Sequence, residues 1–301
     1  MKIGLIGLGK MGFNLALNMR DNNFKVIVYN RTAAKTKEAE KKSLNGVYAI
    51  DKLIEKLPAP RLIWLMISAG KAVDEVIDSL IPYLDKGDII VDGGNSHYRD
   101  TLRRYEELKK RGINYADVGT SGGIDGARNG ACMMIGAEPE IFKLLQPIVT
   151  ALCVKDGYLH TGRVGSGHFV KMIHNGIEYG MLQAIAEGFE ILKESPFSFD
   201  YQKIAKVWNN GSVIRGWLME LAISAFAKDD DLSAIKGIVD SSGEGLWTVE
   251  EALRLGVPAP IITGSLLVRY RSHQKDTFSG KVIAALRNEF GGHKITPENR
   301  R

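Results

Sequence analysis

Four polar residues in the second half of the chain have types and a spacing that suit catalysis. Lys171, His174, Asn175 and Glu178 stand at positions i, i+3, i+4 and i+7 of one segment. On an α-helix seven residues turn through about 700°, so the first and last of these lie within about 20° of each other and about 10.5 Å apart along the axis. The stripe would hold a potential base, two hydrogen-bonding groups and a potential acid, which chemistry on a sugar acid could use. The alternative is an exposed ion pair on a surface helix, with a purely structural histidine between the charges.

The composition is that of a chain able to bury a core. It has 301 residues, of which 45% are hydrophobic and 25% charged, as is usual for a soluble globular protein of two domains. It has no apolar run of about 18 residues, the length that a membrane helix needs, and no signal-peptide pattern at its start. Two cysteines, Cys132 and Cys153, are too few for a disulfide framework. We therefore expect a reduced, cytoplasmic protein with no membrane partner.

The positive net charge does not by itself indicate a nucleic-acid partner. The net charge is +5 and the isoelectric point about 9.0. Basic and acidic residues are interspersed, as in residues 38–42 and 103–111, which is typical of solvated helix faces. We expect no nucleic acid, and an attraction for small anions such as phosphates and carboxylates at most.

The elements that must position the polar stripe change in kind along the chain. Up to about residue 160, short β-rich runs alternate with amphipathic stretches such as Met11–Asp21, Lys71–Leu80 and Arg99–Lys110, which predicts a mostly parallel sheet covered by helices. The strand candidates are Lys2–Ile6, Lys25–Tyr29, Arg61–Met66, Asp88–Val91, Asn114–Val118 and Ala131–Ile135. After Gly162 the pattern becomes helical, and His168–Lys193 reads as one long helix. We predict an α/β Rossmann-like domain over residues 1–163 and an all-α domain, built on that central helix, over residues 164–301.

A glycine motif follows the first predicted strand and opens a helix. It comprises Gly7, Leu8, Gly9, Lys10, Met11 and Gly12. In a GxGxxG loop the first glycine makes the turn, the second admits a pyrophosphate to the backbone, and the third lets helix and strand pack. The helix N-terminus adds free N–H groups and a positive dipole. This context predicts a dinucleotide site, against the alternative of a simple glycine-rich turn.

The end of the second predicted strand indicates which dinucleotide. NAD sites usually carry an acidic residue there, whereas this strand runs into Asn30, Arg31 and Thr32. An arginine can pair with a 2′-phosphate, so NADP is favoured and NAD is the alternative. We also assign to the cofactor site Met66, Ile67 and Ser68, around the end of a later strand, and Asn95.

The motifs together resemble those of the decarboxylating 6-phosphogluconate dehydrogenases, in their short form, within the β-hydroxyacid dehydrogenase superfamily. The resemblance covers nearly the whole chain. The superfamily shares the glycine motif, a Ser-Gly-Gly-like loop and the Lys171/Asn175 pair, while the string from Lys171 to Tyr179 is similar to the phosphogluconate branch. The segments that carry the resemblance are Gly7–Asn14, Asn30–Thr32, Asp92–Ser96, Ser121–Arg128 and Gly167–Tyr179.

The resemblance implies a mechanism. Lys171 would take the proton of the substrate's 3-hydroxyl while hydride leaves C3 for the nicotinamide. The resulting 3-keto acid can lose its carboxylate because the new carbonyl stores the electrons as an enol, and Glu178 would then protonate the carbon that becomes C1 of the product. The products would be ribulose 5-phosphate and carbon dioxide. No metal is expected, since the ketone itself accepts the electrons.

The resemblance also implies the substrate contacts. Asn95, Ser121, Gly122 and Gly123 would bind the sugar acid together with the catalytic Lys171, His174, Asn175 and Glu178, although tight turns alone would explain both loops. The phosphate would be held by Tyr179, by Arg269 or Arg271, and by Arg287 and His293, which in the family reach it from a neighbouring subunit. We therefore expect a homodimer or homotetramer.

Two departures from the family pattern bear on the phosphate site. The loop Ser241–Thr248 lacks the lysine that the long family form carries before its Trp-Thr pair, and we expect the protein to be of the short form, without the large C-terminal extension of the long forms. Which subunit supplies Arg287 and His293 is therefore open.

Two other functions are compatible with parts of the sequence. A non-decarboxylating β-hydroxyacid dehydrogenase, similar to 3-hydroxyisobutyrate dehydrogenase, would keep Lys171 but need neither Glu178 nor the Arg287/His293 pair. A catalytically dead dinucleotide-binding module would be expected to have lost its lysine or gained a basic domain. The metabolic role, in the pentose phosphate route or in gluconate use, is not determined by the sequence.

Overall fold

The computed structural model describes residues 1–297. The chain forms two compact units, which divide between Asn175 and Gly176. The predicted boundary, between residues 163 and 164, lies just before the long helix in which this division falls, and it stays a prediction. The predicted second domain ends at Arg301, which lies outside the described residues.

The first unit is an eight-stranded sheet covered by helices. The strand order is β3-β2-β1-β4-β5-β6-β7-β8, and neighbouring strands are parallel except β6 and β7. The chain order reverses between β1 and β4, where ligands of such sheets usually bind. The strands are β1 (Lys2–Ile6), β2 (Lys25–Tyr29), β3 (Asn45–Val47), β4 (Leu62–Leu65), β5 (Ile89–Asp92), β6 (Asn114–Ser121), β7 (Ala131–Gly136) and β8 (Cys153–Gly162).

Six strands were predicted to within a few residues, and two were missed. Both missed strands, β3 and β8, lie at the edges of the sheet. The first has three residues, and the second is largely solvent-accessible and polar. Central strands are instead apolar runs because helices cover both of their faces, as in the fully buried β4.

The helices of the first unit pack on both faces of this sheet. Two apolar clusters result, one around Leu5, Val28 and Trp64 and the other around Ile6 and Ile63. The helices are α1 (Lys10–Asp21), α2 (Ala33–Glu40), α3 (Ile50–Glu55), α4 (Lys71–Leu80), α5 (Tyr98–Lys109), α6 (Gly123–Asn129) and α7 (Pro139–Leu152).

The described residues after Gly162 form helices and connecting segments with no strand, as predicted. The long helix α8 extends over Ser166–Lys193 and starts two residues earlier than expected. No helix within residues 1–297 is both long and apolar enough to cross a membrane. The remaining helices are α9 (Tyr201–Asn209), α10 (Trp217–Phe226), α11 (Glu244–Leu255), α12 (Pro260–Ser272) and α13 (Phe278–Gly291).

Candidate functional site

The glycine loop between β1 and α1 has the close contacts that its motif predicts. Gly7 has φ +103°, and its N–H donates to the carbonyl of Tyr29 at 2.9 Å. A Cβ at Gly7 would lie 2.3 Å from the carbonyl oxygen of Met66, and one at Gly12 would lie 2.0 Å from that of Gly7. Neither position can therefore carry a side chain without moving the backbone.

The middle glycine of the loop faces open space. A Cβ at Gly9 would meet no atom within 4 Å, and α1 starts at the exposed Lys10 with no side-chain cap. Backbone N–H groups at the start of this helix are thus accessible to an anion. The loop fits a dinucleotide pyrophosphate on its own geometry.

Asn30 supports the glycine loop from the end of β2. Its Oδ1 accepts a hydrogen bond from the N–H of Leu8 at 2.9 Å, and its Nδ2 donates to the carbonyl of Thr32 at 3.2 Å. This amide therefore ties the loop to the start of α2, a role that the sequence did not indicate. The neighbouring Arg31 and Thr32 are exposed, so both can meet a ligand beside that helix start.

Two further loops lie next to each other at the ends of β4 and β5. The N–H of Gly93 donates to Leu65 at 2.9 Å, and a Cβ at Gly94 would lie 2.8 Å from the carbonyl of Ile67. Met66 and Ile67 are half-buried, whereas Ser68 and Asn95 are exposed. The two loops thus present accessible polar groups beside a tightly packed backbone.

Buried Asp92 organises the second of these loops. One carboxylate oxygen accepts the N–H of Gly94 at 3.1 Å, and the other accepts the hydroxyls of Ser96 at 2.6 Å and Tyr115 at 3.0 Å. Burial and the charge of Asp92 raise the pKa of Tyr115 well above its ordinary value, so this phenol stays a donor. Asn95 is therefore carried by a loop whose base is fixed.

Arg104, on helix α5, contacts both the loop after β4 and the loop after β5. Its side chain is 1% exposed; Nε donates to Asp74 at 2.7 Å and Nη2 to the carbonyl of Gly70 at 2.9 Å, while Nη1 lies 3.7 Å from Asp92. Sequence reasoning missed this residue, because α5 reads as a charged surface helix.

The first turns of α8 bring three of the predicted catalytic residues together with Ser121. Lys171 Nζ donates to Asn175 Oδ1 at 2.8 Å and lies 3.4 Å from His174 Nδ1. The other ring nitrogen, Nε2, lies 3.1 Å from Ser121 Oγ. Lys171 and Asn175 are 6% and 7% exposed, and His174 and Ser121 are half-buried, so this polar cluster does not lie on an exposed face of the helix.

The Ser-Gly-Gly loop continues from Ser121 into α6. Gly122 has φ +105° and Gly123 has φ +61°, both in the region that glycine tolerates best. Gly123 is exposed at the start of α6. Its backbone is thus accessible beside Ser121.

Two residues of strand β6, Asp117 and Gly119, make contacts that the sequence did not indicate. The carboxylate of Asp117 accepts the N–H of Gly165 at 2.6 Å and that of His168 at 2.7 Å. Burial raises the pKa of Asp117, although His168 and these two backbone donors act in the opposite direction. A Cβ at Gly119 would lie 2.3 Å from the Cβ of Lys171. The available signal was an acidic residue within the apolar strand candidate Asn114–Val118.

The second unit contains Tyr179 and Arg269 as a contacting pair. The guanidinium carbon of Arg269 lies 3.4 Å from the centre of the buried Tyr179 ring, and the Tyr179 hydroxyl accepts the N–H of Ser242 at 3.2 Å. Arg271 is instead directed to Gln274 at 3.4 Å. Of the two arginines left open by the sequence, Arg269 is the one beside Tyr179.

Glu178 is half-buried on α8, seven residues after Lys171.

Arg287 and His293 lie at the C-terminal end of α13. The N–H of His293 donates to the carbonyl of Arg287 at 3.4 Å, and Asn288 Nδ2 donates to the carbonyl of His293 at 2.9 Å. Both residues are exposed. Two side chains that can be cationic thus share one helix end.

Comparison with known proteins matches the two parts of the chain to one family. Residues 2–160 match the NAD binding domain of 6-phosphogluconate dehydrogenase, and residues 167–296 match its C-terminal domain. The chain is 54% identical over 293 residues to Bacillus subtilis YqeC, a 6-phosphogluconate dehydrogenase by provisional name, covering 97% of this chain and 98% of that protein.

An archaeal relative and a solved structure give the same result. An NAD⁺-dependent, decarboxylating 6-phosphogluconate dehydrogenase of Haloferax volcanii is 40% identical over 297 residues, 98% of each chain. The 6-phosphogluconate dehydrogenase of Plasmodium falciparum, solved with NADP⁺ and with 6-phosphogluconate, superposes with a TM-score of 0.84 at 34% identity, covering all of this chain and 67% of that one. The chain therefore belongs to the 6-phosphogluconate dehydrogenase family and is an NAD- or NADP-dependent oxidoreductase.

Proposed function

We propose that the enzyme converts 6-phospho-D-gluconate to D-ribulose 5-phosphate and carbon dioxide. The observation that carries this proposal is the cluster of buried Lys171 and Asn175 with half-buried His174 and Ser121. It gathers a potential base and three hydrogen-bonding groups, which is what oxidation of a secondary alcohol requires from the protein.

Lys171 in this proposal accepts the proton of the 3-hydroxyl. Asn175 holds the lysine nitrogen and Ser121 holds His174, so the base and its neighbour have fixed positions before substrate arrives. Such prior orientation lowers the entropic cost of reaching the transition state. A bound dinucleotide would supply the acceptor for the hydride that leaves C3 of the substrate.

Loss of the carboxylate follows from the chemistry of the 3-keto acid. The C1–C2 bond breaks and its electron pair moves toward the new carbonyl, giving an enolate whose oxygen the protonated Lys171 can stabilise and protonate to the enol. Glu178 then donates a proton to the carbon that lost the carboxylate.

The phosphate contacts are proposed for Tyr179 and Arg269, with Arg287 and His293 from a second copy of the chain. An arginine stacked on an aromatic ring keeps its N–H groups directed sideways for a phosphate. Asn95 and the Ser121–Gly123 loop would hold the sugar-acid end.

The cofactor proposed is NADP⁺, with NAD⁺ as the alternative. The glycine motif Gly7–Gly12 would hold the pyrophosphate, and Met66, Ile67 and Ser68 would line the same site. The exposed Arg31, with Thr32 beside it, provides a cation where a 2′-phosphate would lie. The expectation that no metal takes part stays a prediction.

The test supplies the purified protein with 6-phosphogluconate and either NADP⁺ or NAD⁺. We expect reduced cofactor, followed at its absorbance band, and carbon dioxide in equal amounts. Lys171→Met should abolish turnover with near-normal cofactor affinity, and Glu178→Gln should lower it. Lys193→Met, at the far end of the same helix, is the matched control and should leave turnover unchanged.

Two results would contradict this proposal. Reduction of the cofactor without carbon dioxide would favour a non-decarboxylating β-hydroxyacid dehydrogenase. Wild-type turnover in Lys171→Met would exclude this lysine as the base.

A further inference from the structure

Three alternate residues of β6 contact successive positions along the start of α8. Asp117, Gly119 and Ser121 share one face of the strand, because side chains in a strand alternate between faces. Asp117 binds the N–H groups of Gly165 and His168. Gly119 is in contact with Lys171, and Ser121 is in contact with His174.

The spacing of these contacts matches in the two elements. Four residues of a strand, from Asp117 to Ser121, span about 13.5 Å. The helical rise from Ser166, where α8 begins, to His174 is about 12 Å, close to that length. The strand therefore lies along the first two turns of the helix, with contacts at each end and in the middle.

The contact at the first end is the strongest constraint. Asp117 is fully buried, and each of its oxygens accepts a backbone N–H at the start of α8. Hydrogen bonds to a charged group are stronger than neutral ones, and the positive end of the helix dipole favours the carboxylate further. The helix cannot slide or rotate at this end without breaking both bonds.

The middle contact fixes how closely the helix approaches. Any side chain at position 119 would overlap the Cβ of Lys171, and a Cβ at Gly167 would lie 2.5 Å from the carbonyl of Met134 on β7. The backbone of α8 thus sits directly on the sheet at the residue proposed as the base.

We propose that Asp117 is a positioning residue, which together with Gly119 sets the depth and rotation of α8 and so the place of the Lys171 amine. This inference rests on the proposed role of Lys171. Its consequence is that Asp117, a residue outside the substrate contacts proposed above, controls the rate of turnover more than the binding of substrate or cofactor.

The experiment compares Asp117→Asn and Gly119→Ala with two matched controls in the intact enzyme. Asp88, directly before β5, is also a fully buried carboxylate that accepts two backbone N–H groups, those of Arg61 and Asp85, and it is further paired with the Arg61 guanidinium at 2.8 Å. Asp88→Asn therefore perturbs at least as many hydrogen bonds, none of them to α8. Gly4→Ala places a methyl group in β1 against the movable Leu57 side chain, without contact to Lys171.

Two measurements are made below the unfolding temperature of every variant. The first separates kcat from KM; because a displacement of about 1 Å can cost up to 100-fold in rate, we expect kcat to fall by about 10- to 100-fold in both test variants while KM changes little. The second is the rate of reductive methylation of Lys171, read by mass spectrometry without any substrate. We expect it to rise in Asp117→Asn and to stay at the wild-type value in both controls.

The two measurements separate failure of this inference from failure of the proposed function. If Lys171 reacts at the same rate in Asp117→Asn as in Asp88→Asn, Asp117 does not position it. If the wild-type enzyme does not turn over 6-phosphogluconate, the proposed reaction is wrong, and the methylation rate still decides whether Asp117 holds Lys171.

Discussion

At the scale of single residues, two neighbours at the end of β2 have different roles: Asn30 supports the glycine loop, and Arg31 is the residue proposed to contact the cofactor. Both ends of the Asn30 amide bond to the protein backbone: the oxygen accepts the N–H of Leu8, and the nitrogen donates to the carbonyl of Thr32. Arg31 is exposed next to it. Support of the loop and selection of the cofactor should therefore respond to different substitutions.

We expect Arg31→Asp to lower the selectivity for NADP⁺ over NAD⁺ and Asn30→Ala to leave it unchanged. A hydrogen bond to a charged group contributes about 1.5–3 kcal/mol, so loss of the arginine should lower NADP⁺ selectivity about tenfold or more. Loss of the Asn30 acceptor leaves the N–H of Leu8 unpaired and should weaken NADP⁺ and NAD⁺ equally. Dissociation constants for both cofactors check this. An NADP⁺/NAD⁺ ratio unchanged by Arg31→Asp would contradict it.

At the scale of elements, helix α5 fixes the two loops that follow β4 and β5. Its buried Arg104 contacts Gly70 on one loop and lies against Asp92 on the other. Removing one partner of a buried ion pair leaves the other charge uncompensated. Arg104 therefore stabilises the fold by holding the two loops in place.

We expect Arg104→Met to lower the free energy of unfolding by about 3–5 kcal/mol. Arg103→Met is the matched control, because Arg103 also bonds Asp74 but has a side chain 46% exposed; such surface pairs contribute about 0–1 kcal/mol. Equal losses in the two variants, measured by denaturant titration, would contradict a special role for Arg104.

The stabilisation from Arg104 should also depend on pH. Burial alone would raise the pKa of Asp74, but the hydrogen bonds from Arg104 and Arg103 hold it below its ordinary value of 3.8. A carboxylate with a lowered pKa stabilises the fold above its unfolded pKa and loses that contribution as the pH falls through its folded value. The difference between the wild-type protein and Arg104→Met should therefore shrink below about pH 4.

At the scale of the whole molecule, helix α13 carries exposed apolar surface that the proposed second copy of the chain would cover. No residue of this helix is buried; Phe278 and Phe290 are 81% and 77% exposed, and Ile283 and Leu286 are more than half exposed. Apolar surface of this extent in a single chain is usually covered by a symmetric partner. Arg287 lies on the same helix, so association and phosphate binding would be linked.

We expect Arg287→Ala to raise the KM for 6-phosphogluconate strongly and to affect unphosphorylated gluconate much less, because gluconate has no phosphate to lose. Mixing Arg287→Ala subunits with Lys171→Met subunits should restore activity, since a hybrid pairs an intact Lys171 with an intact Arg287. No recovery, under conditions shown to exchange subunits, would mean that each subunit builds its own phosphate pocket.

The sequence by itself determined the features that depend on neighbours along the chain. The loop Gly7–Gly12 lies within one strand-turn-helix unit, and Lys171, His174 and Asn175 lie within two turns of one helix. Periodicity and turn chemistry encode such local geometry directly. The central strands were predictable for the same reason, since burial on both faces makes them continuous apolar runs.

Only the tertiary structure decided what meets these local units. Asp117 lies 48 and 51 residues before the N–H groups that it accepts, and Ser121 lies 53 residues before His174. Such contacts depend on the order and register of β6 in the sheet, which no local pattern contains. The edge strands β3 and β8 were missed because an edge has one neighbour and exposed residues, so it lacks the apolar run. The sequence thus specified the chemical groups, and the packing of α8 on β6 decided where they are held.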